Sequence, residues 1–123
     1  LGARQRAQDR AAQSDLRNAL AAAKTYFTDD DTYTGLDATA LEAIEPSLTY
    51  ITADSDTTNL DVSYAVSGDG TEVGFARMSQ SGTCFWISDD SSPAAEAGTW
   101  YGSTTTASSC DGTAAMGATG TSW

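Results

Sequence analysis

Acidic side chains supply most of the reactive groups in this sequence. Asp29, Asp30 and Asp31 form one run, and Asp89 and Asp90 form another. Carboxylates gathered in loops can hold calcium, which draws its oxygen ligands from such segments. Neither "DDD" at 29–31 nor "SDDSS" at 88–92 matches the EF-hand spacing, so plain solvation competes with a metal role at both. Paired carboxylates can also hydrolyse a glycoside, but both runs are expected in loops. The chain contains no histidine, which removes the commonest general base and metal ligand. It also lacks a phosphate-binding glycine loop, a nucleophile elbow and a zinc-spaced cluster. The reading is of a protein that is not an enzyme, with no cofactor and no metal beyond those weak calcium candidates.

Two cysteines remain, Cys84 and Cys110. In a small acidic chain rich in Ser, Thr and Gly they fit a disulfide made in an oxidising compartment; two free buried thiols are the alternative. Such a bond would stabilise the fold by roughly 3–4 kcal/mol. It would also hold down the Ser/Thr-rich run from Ser103 to Ser109, which has little to bury. Among the aromatic residues, Trp86, Trp100, Tyr101 and Trp123 could stack on a sugar. Trp86 is expected in the core. Trp100 and Tyr101 are adjacent on an expected edge strand, so one should face inward and the other outward.

The elements that must position these groups follow from periodicity. Leu16, Ala19, Leu20, Ala23 and Phe27 repeat at three and four, predicting a helix over 1–27 that stops near Thr28. Upstream the stripe continues only as Ala3, Ala7 and Ala11, which favour helix but bury little area. The first turns are therefore expected to project. A short helix is predicted over 37–45, capped by Asp37 or Thr39, with Leu41 and Ile44 inward and Pro46 ending it. The period then changes to two in "SLTYITA", "LDVSYAVS", "TEVGFARMS" and "TCFWIS". "SGDG" and "SQSG" are hairpin turn signals, and "TWYGS" is expected to follow the loop "DDSSPAAEAG" as a last edge strand. The expected architecture is α+β, in one domain spanning 1–123. A helical stem, 1–27, packs against a roughly four-stranded antiparallel meander over about 48–103. The head is 28–123, with a disulfide-closed C-terminal region.

Charge is distributed unevenly. The formal total is −11, yet residues 1–24 hold Arg4, Arg6, Arg10, Arg17 and Lys24 against Asp9 and Asp15, a local +3. Beyond residue 24, Arg77 stands alone against fifteen carboxylates, giving −14. An acidic body repels phosphates, so no nucleic-acid binding is expected from the head. Asp15 has no base three or four residues away and Asp9 meets only Arg6. The basic helix face is either solvated or meets the acidic body of another copy.

The stretch "LGARQRAQDRAAQSDLRNALAAAKTYFTDDDTYTG", with "LEAIEPSLTYI" after it, resembles the type IV pilins. The resemblance covers the chain to about Ile51 and is architectural beyond that. It implies a pilin fold: a long helix packed on an antiparallel sheet, with Cys84 and Cys110 bounding the family's disulfide-closed region. It also implies that an apolar, membrane-inserting segment would end just before Leu1, so the chain is expected to be a truncated subunit. On this resemblance Ala3, Ala7 and Ala11, with Arg4, Arg6 and Arg10, would meet neighbouring helices in a filament. The implied partners are further copies of the chain, pilus assembly machinery and minor pilins, with membrane contact only through the upstream segment. The implied location is a cell-surface pilus serving motility, adhesion or DNA uptake, after assembly from the membrane. Major pseudopilins of type II secretion are similar in the same residues. A secreted carbohydrate-binding module using Trp100 and Tyr101 is the alternative of a different class.

Overall fold

A computed structural model describes residues 2–93 and 97–123. Helix α1 runs Ala3–Asp30 and buries Ala12, Leu16, Ala19, Leu20, Ala22 and Ala23 along one face. It continues two residues past Thr28. Thr25 and Thr28 return their hydroxyls to the carbonyls of Ala21 and Lys24, and the backbone turns only at Asp31. There φ is 56° and the amide donates to Phe27 O at 2.7 Å. The acids at this dipole end are exposed, where water screens the unfavourable contact.

Helix α2 is Ala38–Ile44, with Asp37 as its cap, accepting from Ala40 N at 2.9 Å. Leu41 is buried as its spacing predicts, but Ile44 is exposed, contrary to the inward position expected for it. The helix has only 7 residues, and Ile44 is its last, just before the turn at Glu45.

Five strands follow: β1 Tyr50–Ile51, β2 Val62–Val66, β3 Glu72–Met78, β4 Cys84–Asp90 and β5 Gly98–Thr104. They lie in the order β1-β2-β3-β4-β5. From β2 to β5 the sheet is the expected antiparallel meander, but β1 pairs with β2 in parallel. The sheet is therefore five-stranded and mixed rather than four-stranded and antiparallel. A parallel pair needs a crossover that returns the chain to the end of the sheet from which the first strand started, and residues 52–61 make it. Asp56 Oδ1 there accepts from the amides of Thr58 and Asn59, and Leu60 adopts a positive φ of 51°.

β3 and β4 are buried on both faces along most of their length, which accounts for the continuous runs Val73–Ala76 and Cys84–Ile87 within them. On one face Val73, Phe75, Phe85 and Ile87 form a core with α1, Tyr33, Leu36 and Leu41. On the other face the C-terminal segment returns as a 3-10 turn, Ala107–Ser109, and a short helix α3, Gly112–Ala115. Ala76, Met78, Cys84, Cys110 and Ala115 form a second core there, with Trp86 packed against it. α3 comes so close that a Cβ added at Gly112 would strike the backbone of Tyr64 and Ala65, and one at Gly74 would strike Gly112 O. These two glycines let helix and sheet meet backbone to backbone. The chain then runs beside β5, where Gly120 and Tyr101 exchange two backbone hydrogen bonds of 2.8 and 2.9 Å. That short bridge covers part of an otherwise open edge.

Candidate functional site

α1 has two lengths with different environments. From Ala12 onward it is buried on the sheet side, whereas Ala3, Ala7 and Ala11 are all exposed, as are Arg4, Arg6 and Arg10. The two acids within its first 24 residues, Asp9 and Asp15, face the body. Asp9 Oδ1 accepts from Ser79 Oγ at 2.7 Å and from Ser81 Oγ at 2.6 Å. Asp15 Oδ2 lies 3.2 Å from Arg77 Nε, the one base of the head. Burial raises the Asp15 pKa; Arg77 pulls it down, and Glu45 adds a smaller upward push. Their long-range partners could not be found from helical spacing, because the interactions cross 62 to 72 positions of sequence. The arginines meanwhile stay outward, except that the Arg17 guanidinium sits 4.7 Å over the Trp123 ring.

The acidic runs do not assemble as sites. Asp29 and Asp30 end α1, Asp31 is its cap, and all three are exposed. Asp89 and Asp90 belong to β4 rather than to the loop expected over 89–98, of which residues 94–96 lie outside the described residues. Because successive strand residues point to opposite faces, the two carboxylates part company. Asp89 lies on the α1 side, where it accepts from Tyr33 Oη and Ser91 Oγ, each at 2.6 Å, with Lys24 Nζ at 3.7 Å. Burial and this bond to a carboxylate hold the Tyr33 hydroxyl well above its ordinary pKa. The arrangement ties the end of α1, the 31–36 segment and β4 together. Among the described residues no group of three or more acidic or cysteine side chains could hold a metal ion.

Asp90 lies on the opposite face, in register with Glu72 of β3. Together with Trp100, Met116, Gly117, Ala118 and Thr119 they line a cavity of about 480 Å³, within the size range of small-ligand sites. Its position between sheet and tail was invisible in the sequence, since Glu72 and residues 116–119 lie more than 40 positions apart. Trp100 and Tyr101 do alternate as expected. Trp100 lines the cavity, while Tyr101 packs on the α1-side core with its ring 5.0 Å from that of Trp123. The two thus make no common stacking platform. Trp86 is half-buried against the outer core, its indole donating to Ser109 O at 3.0 Å.

Cys84 and Cys110 are bonded, with their Cα atoms 5.7 Å apart. The bond joins the start of β4 to the turn before α3, and Ser55 N donates to Cys110 O at 2.8 Å beside it. The disulfide thus fastens the C-terminal cover to the sheet, and the Ser55 hydrogen bond ties it to the 52–61 connection.

The chain is an α+β protein with a half-buried N-terminal helix, a mixed sheet and a disulfide-held C-terminal cover. Compared with protein-family models, curated proteins and solved structures, it matches none of them. Among the described residues no helix is long and apolar enough to cross a membrane.

Proposed function

We propose that this chain is the stem and head of a type IV pilin-like subunit, a structural protein that polymerises into a filament outside the cell. The observation that carries the reading is the division of α1. Its second half is buried under the sheet, while its first three turns expose small and basic residues on an acidic molecule. Ala3, Ala7 and Ala11 offer little area to any core of their own, but small side chains let helices approach closely. The arginines beside them suit the carboxylates of a neighbouring copy. A contact of this kind, between two different surfaces, repeats without closing and builds a fibre. The head and the disulfide-held cover are then the displayed surface. On this reading the partners are other copies, assembly machinery and minor subunits, and an apolar segment upstream supplies the membrane anchorage.

The test begins with the coding sequence upstream of Leu1. A short basic leader, a glycine and some two dozen apolar residues with an early glutamate are expected. Electron microscopy of producing cells, labelled with an antibody to this head, should then decorate surface fibres. Label confined to the secretion apparatus would transfer the proposal to a pseudopilin. A conventional cleaved signal peptide ending at Leu1, with no fibres labelled, would overturn the assembly reading.

A further inference from the structure

We propose that the cavity between the outer face of β3–β5 and the Met116–Thr119 segment binds a small organic cation of alkylammonium or quaternary ammonium type. The inference stands apart from the filament reading and survives if that reading fails. Glu72 and Asp90 are directly opposed register partners, and like charges so placed destabilise a sheet. Neither has a basic partner among the described residues, because Arg77 pairs with Asp15 and Lys24 with Asp89, both on the α1 side. Gly98, opposite Asp90 on β5, carries no side chain and leaves that row open. Burial, reinforced by Asp90, Asp69 and Asp89, raises the Glu72 pKa, as the opposed carboxylates would lead one to expect.

The rest of the lining chooses among cations. Two carboxylates fall short of a metal's ligand set. Trp100 brings an aromatic ring to the same cavity, and Met116 and Ala118 add apolar surface. A charged head with methyl or alkyl groups satisfies both halves, through cation–π attraction and carboxylate contact. A neutral sugar would stack on Trp100 and leave the opposed charges uncompensated.

The test is a titration of the chain with tetramethylammonium chloride at constant ionic strength, followed by proton–nitrogen correlation spectra, with sodium chloride and glucose as controls. The Trp100 indole N–H and the Gly117 amide are expected to shift saturably, with a dissociation constant of roughly 1–10 mM. The double variant Glu72→Gln, Asp90→Asn should bind at least tenfold more weakly. Trp100→Leu, which keeps apolar bulk and removes the ring, should weaken binding several-fold and serves if the double variant misfolds. Shifts that merely track the sodium chloride control would overturn the proposal. So would saturation by glucose alone, or equally tight binding by variants whose spectra show the native fold.

Discussion

Asp15 of α1 and Arg77 of β3 stand 3.2 Å apart, carboxylate oxygen to guanidinium Nε, without the alignment of a hydrogen bond. The head's single base is thus spent on the stem, and Arg77 Nη1 turns to Met78 O at 3.2 Å. Arg77 is only 8% exposed, so its charge depends on Asp15 for compensation. Arg77→Met, which keeps the length of the side chain, should lower stability by about 1–3 kcal/mol. It should also raise the Asp15 pKa further, since the one opposing pull is gone. Urea denaturation reads the first effect and a carboxylate titration by NMR the second. A double-mutant cycle with Asp15→Asn should show that the two losses are not additive; additive losses would mean the pair contributes no coupling.

Reduction of Cys84–Cys110, or its replacement by Ala at both positions, should lower stability by roughly 3–4 kcal/mol, the loop-closure value for a separation of 26 residues. The loss should be local first. Limited proteolysis is expected to cut within 103–123 before it reaches α1, because the outer core is small and centred on the bond. Uniform cleavage across the chain would show that the cover is held without it.

Gly112→Ala tests the backbone contact between α3 and the sheet. The new methyl group would strike Tyr64 and Ala65 backbone, which cannot yield as a flexible side chain would. Overpacking of this kind costs about 1–3 kcal/mol. Gly117→Ala, at an exposed turn of the same segment, should cost less. Thermal melts of the two variants side by side give the comparison, and equal melting points would refute the close approach.

Glu72 makes a pH prediction whose sign is fixed by its environment. Its folded pKa lies above the unfolded value of 4.5 because burial and the neighbouring acids disfavour the charge. The folded chain therefore binds this proton more readily, and stability is lost as pH rises from about 4.5 through the folded pKa. Glu72→Gln should melt higher than the native chain at pH 7, and the advantage should vanish below about pH 4.5. An unchanged difference across that range would remove Glu72 as its source.

Much of the local order was legible in the sequence. The three-and-four spacing of Leu16, Ala19, Leu20 and Ala23 marked the buried stripe of α1, and of the two cap candidates for α2, Asp37 and Thr39, the fold uses Asp37. The apolar runs marked β2, β3 and β4, and the alternation of Trp100 and Tyr101 held in β5. Boundaries were less secure. α1 outran its apolar stripe to Asp30, and Asp89–Asp90 extended β4 instead of opening a loop, because backbone pairing with β3 and β5 continues past the last apolar residue.

Read along the chain alone, the residues reveal the type of most elements, the apolar face of each, and the division of charge between a basic N-terminal stretch and an acidic remainder. These are properties of near neighbours, set by side-chain period and backbone preference. Which of these residues meet emerges only once the chain has folded. Folding made β1 parallel to β2, turned Asp9 and Asp15 toward Ser79, Ser81 and Arg77, and sent Asp89 and Asp90 to opposite faces. It also laid residues 107–119 over the sheet and so formed the open cavity at Glu72, Asp90 and Trp100. A pattern along the chain records that a face must be covered; what covers it depends on the path the whole chain takes back across the sheet.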